Sequence, residues 1–211
     1  MSRVLQLASG PVSAAALAPA VRWLADGGIV AFPTDTLYGL AVDPFSGSAV
    51  AALFDLKGRS SAAAIPLVAG SRTSVESWIG RLHGATAALA DRFWPGPLSL
   101  IIDAPATIVP AVHAGTHSVA VRVPAHDLAR AFADACGRPI TATSANASGA
   151  PPVSTAADLG AIADDPRVLV IDGGRTPGGP PSTIVDARAG EPIVVRDGAI
   201  ARDRVLRSSH R

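Results

Sequence analysis

Short apolar runs alternate along the chain with stretches in which apolar residues recur every three or four positions. The runs predict buried strands and the three-to-four spacing predicts amphipathic helices. Because strands and helices interleave throughout, the pattern favours an α/β fold with a mixed sheet. The predicted helices are 19–28, 48–57, 85–94, 127–136 and a segment around 156–162. The predicted strands are 29–32, 66–69, 98–102, 119–123, 140–143, 168–171, 184–185 and 193–195.

The ends of two helices carry recognisable signals. Pro19 suits the first turn of the first helix, and Gly27 and Gly28 predict its end. Ser46 or Ser48 is expected to cap the second helix. No shift in composition marks a boundary, so we expect one domain over residues 1–211, with a core of about 15–200 and a frayed tail at 201–211.

Composition narrows the classes of function. Hydrophobic residues make up 48% of the 211 positions and charged residues 17%, which is enough to bury a core. The net charge of +1 is small for a dedicated nucleic-acid binder. Cys136 is the only cysteine, so no intramolecular disulfide can form. With no recognisable signal peptide or transmembrane run, the sequence predicts a cytoplasmic protein with no membrane association.

The segment PTDTLYGL at 33–40 follows the first predicted strand and is rich in polar side chains. Loops at strand ends are where α/β proteins commonly bind ligands. An ordinary turn, in which Asp35 bonds its own backbone, explains the same residues equally well.

Lys57 and Arg59 flank a glycine at the end of the second helix and would suit a polyphosphate. Favourable cations at a helix C-terminus are the simpler interpretation for a generic sequence. Lys57 is, however, the only lysine among 18 basic residues, and this favours a functional role.

Three further features could carry chemistry. Ser144 and Asn146 stand at alternate positions after a short strand and could face one ligand, or simply cap a polar loop. Arg122 lies in an otherwise apolar strand and needs an anionic partner unless it faces outward. His113 and His117 are four residues apart, but no third metal ligand is evident.

Taken in order, these segments resemble the YrdC/Sua5 family of threonylcarbamoyl-adenylate synthases. Seven matching segments spread over roughly residues 20–200 carry the resemblance. They are PTDTLYGL (33–40), KGR (57–59), WPGPLSL (94–100), VAVRVP (119–124), TSANASG (143–149), STIVD (182–186) and VRDG (195–198). The segment between Arg59 and Pro66 departs from the family pattern, because it is longer than in many members.

The resemblance implies an open, twisted mixed sheet with flanking helices and a concave basic groove, in the short single-domain form of the family. It also implies an activity. Family members join L-threonine, bicarbonate and ATP to give threonylcarbamoyl-AMP and pyrophosphate, with Mg²⁺ bound mainly through the ATP phosphates. A separate transferase complex then modifies adenosine 37 of tRNA.

The resemblance also assigns roles to individual residues. Lys57 and Arg59 would be catalytic, and Thr36, Arg122 and Ser182 would bind threonine. The residues that would bind ATP are Lys57, Arg59, Ser118, Ser144, Asn146 and Arg196.

Two alternatives belong to other classes. One is an RNA-binding or ribosome-maturation module that uses the same groove to contact tRNA or double-stranded RNA without catalysis. The single tyrosine, Tyr38, argues against this, since single-strand readers usually offer several aromatic platforms. The other is a carbamoyl transferase of the hydrogenase-maturation type, which is a large chain with zinc-finger-like cysteines that this sequence lacks.

Overall fold

The structure is a computed structural model that describes residues 3–7, 12–58, 63–146 and 151–208. It confirms the predicted mixed α/β fold and divides the strands between two sheets. The strands are β1 (Val4–Gln6), β2 (Ile29–Pro33), β3 (Tyr38–Ala41), β4 (Leu67–Val68), β5 (Leu98–Asp103), β6 (Ser118–Arg122), β7 (Ile140–Thr141), β8 (Thr143–Ser144), β9 (Val168–Asp172), β10 (Thr183–Asp186) and β11 (Ile193–Arg196). The helices are α1 (Ala14–Ala25), α2 (Gly47–Lys57), α3 (Arg72–Trp78), α4 (Gly84–Phe93), α5 (Pro110–His113), α6 (Asp127–Ala135), α7 (Ala161–Asp164) and α8 (Arg202–Leu206).

Both sheets combine parallel and antiparallel pairs. The five-stranded sheet has the order β1-β9-β2-β3-β8, in which β1, β9 and β2 run parallel and β3 pairs antiparallel with β2 and β8. The six-stranded sheet has the order β11-β10-β5-β6-β4-β7. The short strands β7 and β8 follow one another in sequence but belong to different sheets. The loop after β8 therefore starts where the two sheets meet.

The apolar run of β2 explains why this strand is central. Ile29 and Ala31 point into one hydrophobic cluster, whereas Val30 and Phe32 point into another. Successive side chains of a strand face opposite sides of the sheet, so a strand covered on both faces needs a continuous apolar run. Helices α1 and α6 cover the second face, where Phe132 packs against Phe32 with ring centroids 5.6 Å apart.

Helix α1 begins earlier than predicted. Ser13 caps it by accepting a hydrogen bond from the Ala16 amide, so Pro19 lies inside the helix and not in its first turn. Pro19 is exposed, on the side of the helix that faces away from the sheet, where a missing amide hydrogen bond is best tolerated. Ser46, rather than Ser48, caps α2, and Gly58 ends it in the left-handed conformation.

Residues 202–206, which lie within the predicted tail, form α8. Val205 on this helix is fully buried within the larger hydrophobic cluster, and the Ser208 side chain bonds back to the Arg204 carbonyl. One buried apolar side chain in a polar segment is enough to dock a short helix, but it gives no periodic signal.

Three other helical segments differ from expectation. The structure contains α3 and α5, which the apolar pattern does not predict, and the helix expected around 156–162 is split at Gly160 into a 3₁₀ turn and α7. None of the helices within the described ranges is long and apolar enough to cross a membrane.

Candidate functional site

A cavity of about 610 Å³ gathers most of the residues singled out in the sequence. Its walls come from the β2–β3 loop, from β5, β6, β10 and β11, and from the segment that starts at β8. Seven of the nine predicted site residues line it. They are Thr36, Ser118, Arg122, Ser144, Asn146, Ser182 and Arg196.

Two guanidinium groups give the cavity its charge. Arg122 on β6 is buried, and Arg196 at the end of β11 is exposed at its rim. Burial lowers the pKa of both arginines, and the positive charge of Arg122 further lowers the pKa of Arg196. Among the described residues that line the cavity, these two are the only charged ones. Two neighbouring cations in a partly desolvated cavity favour an anionic ligand.

Arg122 has a protein partner. Its Nη1 donates a 2.5 Å hydrogen bond to Oδ1 of Asp35, and the two side chains are only 8% and 11% exposed. The prediction that this arginine needs an anionic partner is therefore met by a carboxylate of the chain itself. The other oxygen of Asp35, Oδ2, accepts from the Ala125 amide at 3.1 Å. Both oxygens of Asp35 thus bond groups outside the β2–β3 turn, in contrast to the ordinary-turn interpretation.

The turn between β2 and β3 is organised by Thr34. Its hydroxyl donates to the Leu37 carbonyl at 2.7 Å and accepts from the Thr36 and Leu37 amides. The Thr36 hydroxyl lies 3.1 Å from that of Thr34. Either hydroxyl could be the donor in this contact, and in both cases Thr36 keeps a lone pair that can accept from a ligand.

Ser182 precedes β10 and is held by Arg196. Nη2 of Arg196 donates to the Ser182 carbonyl at 2.8 Å and to its hydroxyl at 3.1 Å. On the other side, the hydroxyls of Ser99 and Ser182 are 2.9 Å apart, and both side chains are buried. Arg196, Ser182 and Ser99 thus form a continuous polar strip along the cavity wall.

Gly198 allows this strip to form. A β-carbon at this position would lie 2.3 Å from the Pro181 carbonyl oxygen and 2.6 Å from backbone atoms of Ser182 and Thr183. Real β-carbons do not approach backbone atoms so closely, so only glycine fits here. The VRDG segment therefore contributes its glycine to packing as well as Arg196 to the cavity.

Lys57 lies beside the cavity and is not among its described lining residues. Its ammonium group donates to the backbone carbonyls of Ser144 and Asn146 at 2.5 and 2.7 Å, and the residue is 6% exposed. Lys57 thus joins the end of α2 to the loop that carries two predicted ligand-binding side chains. Arg59 lies outside the described residues, as do positions 60–62 and 147–150 in the neighbouring predicted segments.

Ser118 begins β6, and its hydroxyl donates to that of Thr116, which also lines the cavity. The histidines at 113 and 117 stack with ring centroids 5.1 Å apart, and Nδ1 of His113 accepts from the His117 amide. That nitrogen is engaged within the protein. Within the described ranges, no group of three His, Cys, Asp or Glu side chains could hold a metal.

The sequence alone predicts no contact with other site residues for Asp35, Ser99 or Gly198. All three lie inside the segments that resemble the family, and this position was the only indication in the sequence that they contribute to the site. Their roles depend on atoms far away in the chain, since Asp35 meets Arg122 across 87 positions and Ser99 meets Ser182 across 83.

The fold and the cavity define an α/β protein with a cationic, hydroxyl-rich cavity. The model of the Sua5/YciO/YrdC family, described as "Telomere recombination", matches residues 22–198. The chain belongs to this family. The resemblance seen in the seven sequence segments is thereby confirmed.

Individual relatives agree with this assignment. The chain is 33% identical to threonylcarbamoyl-AMP synthase of Pyrococcus abyssi over 88% of its own length and 55% of the relative. It is 35% identical to threonylcarbamoyl-AMP synthase of Chromohalobacter salexigens over 84% of its own length and 95% of the relative. The crystal structure of P. abyssi Sua5 complexed with L-threonine superposes with a TM-score of 0.88 at 30% identity, covering 98% of this chain and 61% of that one. The chain thus spans little more than half of the longer relatives.

Proposed function

We propose that this protein is an L-threonylcarbamoyladenylate synthase, a nucleotidyltransferase that joins L-threonine, bicarbonate and ATP. The product, threonylcarbamoyl-AMP, would supply N6-threonylcarbamoyladenosine at position 37 of tRNA. The observation that carries the proposal is the convergence of seven predicted ligand-binding residues from distant segments on one cationic cavity.

The cavity offers separate groups for the amino acid. Arg122 can bind a carboxylate through its remaining N–H donors, and Ser182 lies along the same wall. Thr36 presents a hydroxyl acceptor suited to an ammonium group or a carbamate N–H. Threonine would therefore lie between the β2–β3 turn and the start of β10.

The remaining predicted residues would hold ATP. Ser144 and Asn146 line the cavity at one end of β8, and Ser118 lines it at the start of β6. Arg196 adds a positive charge to the same cavity. Lys57 and Arg59 complete the set, with Lys57 holding the loop of Ser144 and Asn146 in place.

The reaction needs no protein nucleophile. The threonine amine attacks the carbon of bicarbonate and water leaves, which gives a carbamate. A carbamate oxygen then attacks the α-phosphorus of ATP, and pyrophosphate leaves. What the protein must supply is alignment of the reactants and positive charge near the phosphates, which is what a cavity with two arginines offers.

Mg²⁺ would be carried by the ATP phosphates, since the described residues contain no carboxylate cluster that could hold it. When bound, the ion would neutralise phosphate charge as pyrophosphate departs. The product is an activated intermediate, so a separate threonylcarbamoyl transferase complex would have to receive it and transfer the group to tRNA. A cytoplasmic location, where ATP and tRNA are present, is part of this proposal.

The test is pyrophosphate release by the purified protein with ATP and Mg²⁺, with L-threonine and bicarbonate each added or omitted. We expect release only when both are present, together with a product whose mass equals that of threonylcarbamoyl-AMP. Release without threonine would indicate a different nucleotide reaction. ATP binding without release under any condition would favour the RNA-binding alternative, which a tRNA-binding measurement would then test.

A further inference from the structure

Asp35 lies in the turn between β2 and β3 and contacts two parts of the site at once. Oδ1 accepts from Nη1 of Arg122 at 2.5 Å, and Oδ2 accepts from the Ala125 amide at 3.1 Å. Arg122 ends β6, and Ala125 lies three residues further along the chain. One carboxylate therefore ties the end of β6 and the segment after it to the turn that carries Thr36.

The contact with Asp35 also stabilises the positive charge of Arg122. Burial desolvates the guanidinium and thereby lowers the pKa of Arg122. The negative charge of Asp35 opposes this effect. Without it, a buried arginine would lack its counter-ion and would be driven towards water.

The geometry leaves Arg122 able to bind a ligand. A guanidinium has five N–H donors arranged in a rigid plane, and the bond to Asp35 is made by Nη1. Fixing one nitrogen of a planar group determines where its other nitrogens point. Since Arg122 also lines the cavity, Asp35 determines which edge of the guanidinium faces a bound molecule.

We propose that Asp35 is a positioning residue for the substrate carboxylate, acting through Arg122. It orients the guanidinium before the amino acid arrives, so that binding does not have to reorganise a mobile arginine. This inference rests on the proposed function and deepens it, because it concerns recognition of L-threonine and not of ATP.

The chain offers a matched control for this proposal. Asp43 makes the same pair of contacts, one with Nη1 of Arg138 at 3.0 Å and one with the Phe45 amide at 2.9 Å. Neither Asp43 nor Arg138 is among the described residues that line the cavity. Replacing Asp43 therefore removes an ion pair of the same type, more exposed than that of Asp35, outside the cavity.

The variants are Asp35→Asn and Asp43→Asn. Each keeps an oxygen that can accept the backbone N–H and removes the charge. The measurements are the KM values for L-threonine and ATP in pyrophosphate release, calorimetric binding of L-threonine, and binding of threoninol, which lacks the carboxylate. Thermal unfolding of each variant reports the purely structural contribution.

We expect Asp35→Asn to raise the KM for L-threonine by about 10- to 100-fold with the KM for ATP nearly unchanged. The preference of the wild-type protein for threonine over threoninol should shrink by a similar factor. Asp43→Asn should leave both KM values and this preference unchanged. Asp35→Glu, which retains the charge, should lie between the wild-type protein and Asp35→Asn, and it serves as the test if the asparagine variant does not fold.

An unchanged KM for threonine in Asp35→Asn, or an equal rise in the KM for ATP, would overturn the proposal. A lower KM for threonine would overturn it too, because Asp35 would then be a competitor for Arg122. If the wild-type protein neither binds threonine nor releases pyrophosphate, the proposed function itself fails. The first three outcomes can be distinguished from the last because they require an active wild-type protein.

Discussion

Two buried cations at the site are stabilised in different ways. Arg122 and Lys57 are each 6% exposed, yet Arg122 pairs with the carboxylate of Asp35, whereas Lys57 donates to the backbone carbonyls of Ser144 and Asn146. An arginine with a carboxylate partner keeps donors for a second anion, because its fork has five N–H groups. A lysine bound to two carbonyls instead determines the path of a loop. We therefore propose that Arg122 acts on the ligand directly and that Lys57 acts largely through the loop after β8.

The largest effect is expected from Lys57→Ala. Its removal leaves two carbonyls without their ammonium donor, so the Ser144–Asn146 loop should shift and pyrophosphate release should fall by about 100-fold or more. The fold should persist, which circular dichroism can check. Near-normal turnover in this variant would contradict both the catalytic and the loop-holding role of Lys57.

Arg122→Ala should affect stability and threonine use together. It leaves the Asp35 carboxylate, only 11% exposed, without its partner, which should destabilise the protein by about 3–5 kcal/mol in urea unfolding. The double variant Arg122→Ala with Asp35→Ala should recover much of that stability without recovering threonine binding. If threonine binding returned with stability, Arg122 would be a structural residue only.

Gly198→Ala tests the polar strip of Arg196, Ser182 and Ser99 by changing the backbone packing next to it. The added methyl group would overlap backbone atoms of Pro181, Ser182 and Thr183, so we expect a loss of about 1–3 kcal/mol and weaker threonine binding. Gly58→Ala is a useful comparison, because Gly58 has a φ of +58° but open space around it. That variant should cost about 1–2 kcal/mol through backbone strain, without displacing Ser182.

The smallest expected effect is a change in the stability of the folded protein with pH. His126 caps α6 through Nδ1, which accepts from the Ala129 amide at 3.4 Å, and burial lowers its pKa below the ordinary value of 6.5. Arg130 and Arg122 lower the pKa further, while Asp35 and Asp127 oppose this. The unfolded chain therefore binds the proton more readily, and stability should decrease as the pH falls through 6.5 towards the folded pKa.

Unfolding measured between pH 8 and pH 5 checks this expectation. His126→Asn keeps a good capping residue and removes the titration, so its stability should depend less on pH over that interval. An identical pH dependence in the two proteins would assign the effect to other groups.

The candidate site could be predicted from sequence to a considerable extent. The polar segments after strands pointed to Thr36, Ser144 and Asn146, and all three line one cavity. Arg122 was found because an arginine in an apolar strand requires a partner. The identity of that partner could not be predicted, because no local pattern connects position 35 with position 122.

The fold was predictable to a similar degree. The apolar run of β2 indicated a strand buried on both faces, and the spacing of α2 and α6 indicated helices, as observed. The sequence does not predict strand β3, since Tyr38 to Ala41 carries no alternation when both faces are buried. Helix α8 was missed because its stability comes from Val205 packing into a distant core.

The sequence by itself determined the α/β class, the family and the segments that contain the candidate site residues. These properties can be predicted from local periodicity, from helix caps and from short motifs whose residues are close together in the chain. Only the tertiary structure decided that the strands form two sheets, that Asp35 is the partner of Arg122, and that Lys57 binds the loop after β8. Such pairings depend on contacts between residues 87 positions apart, which chain folding brings together and which local sequence does not encode.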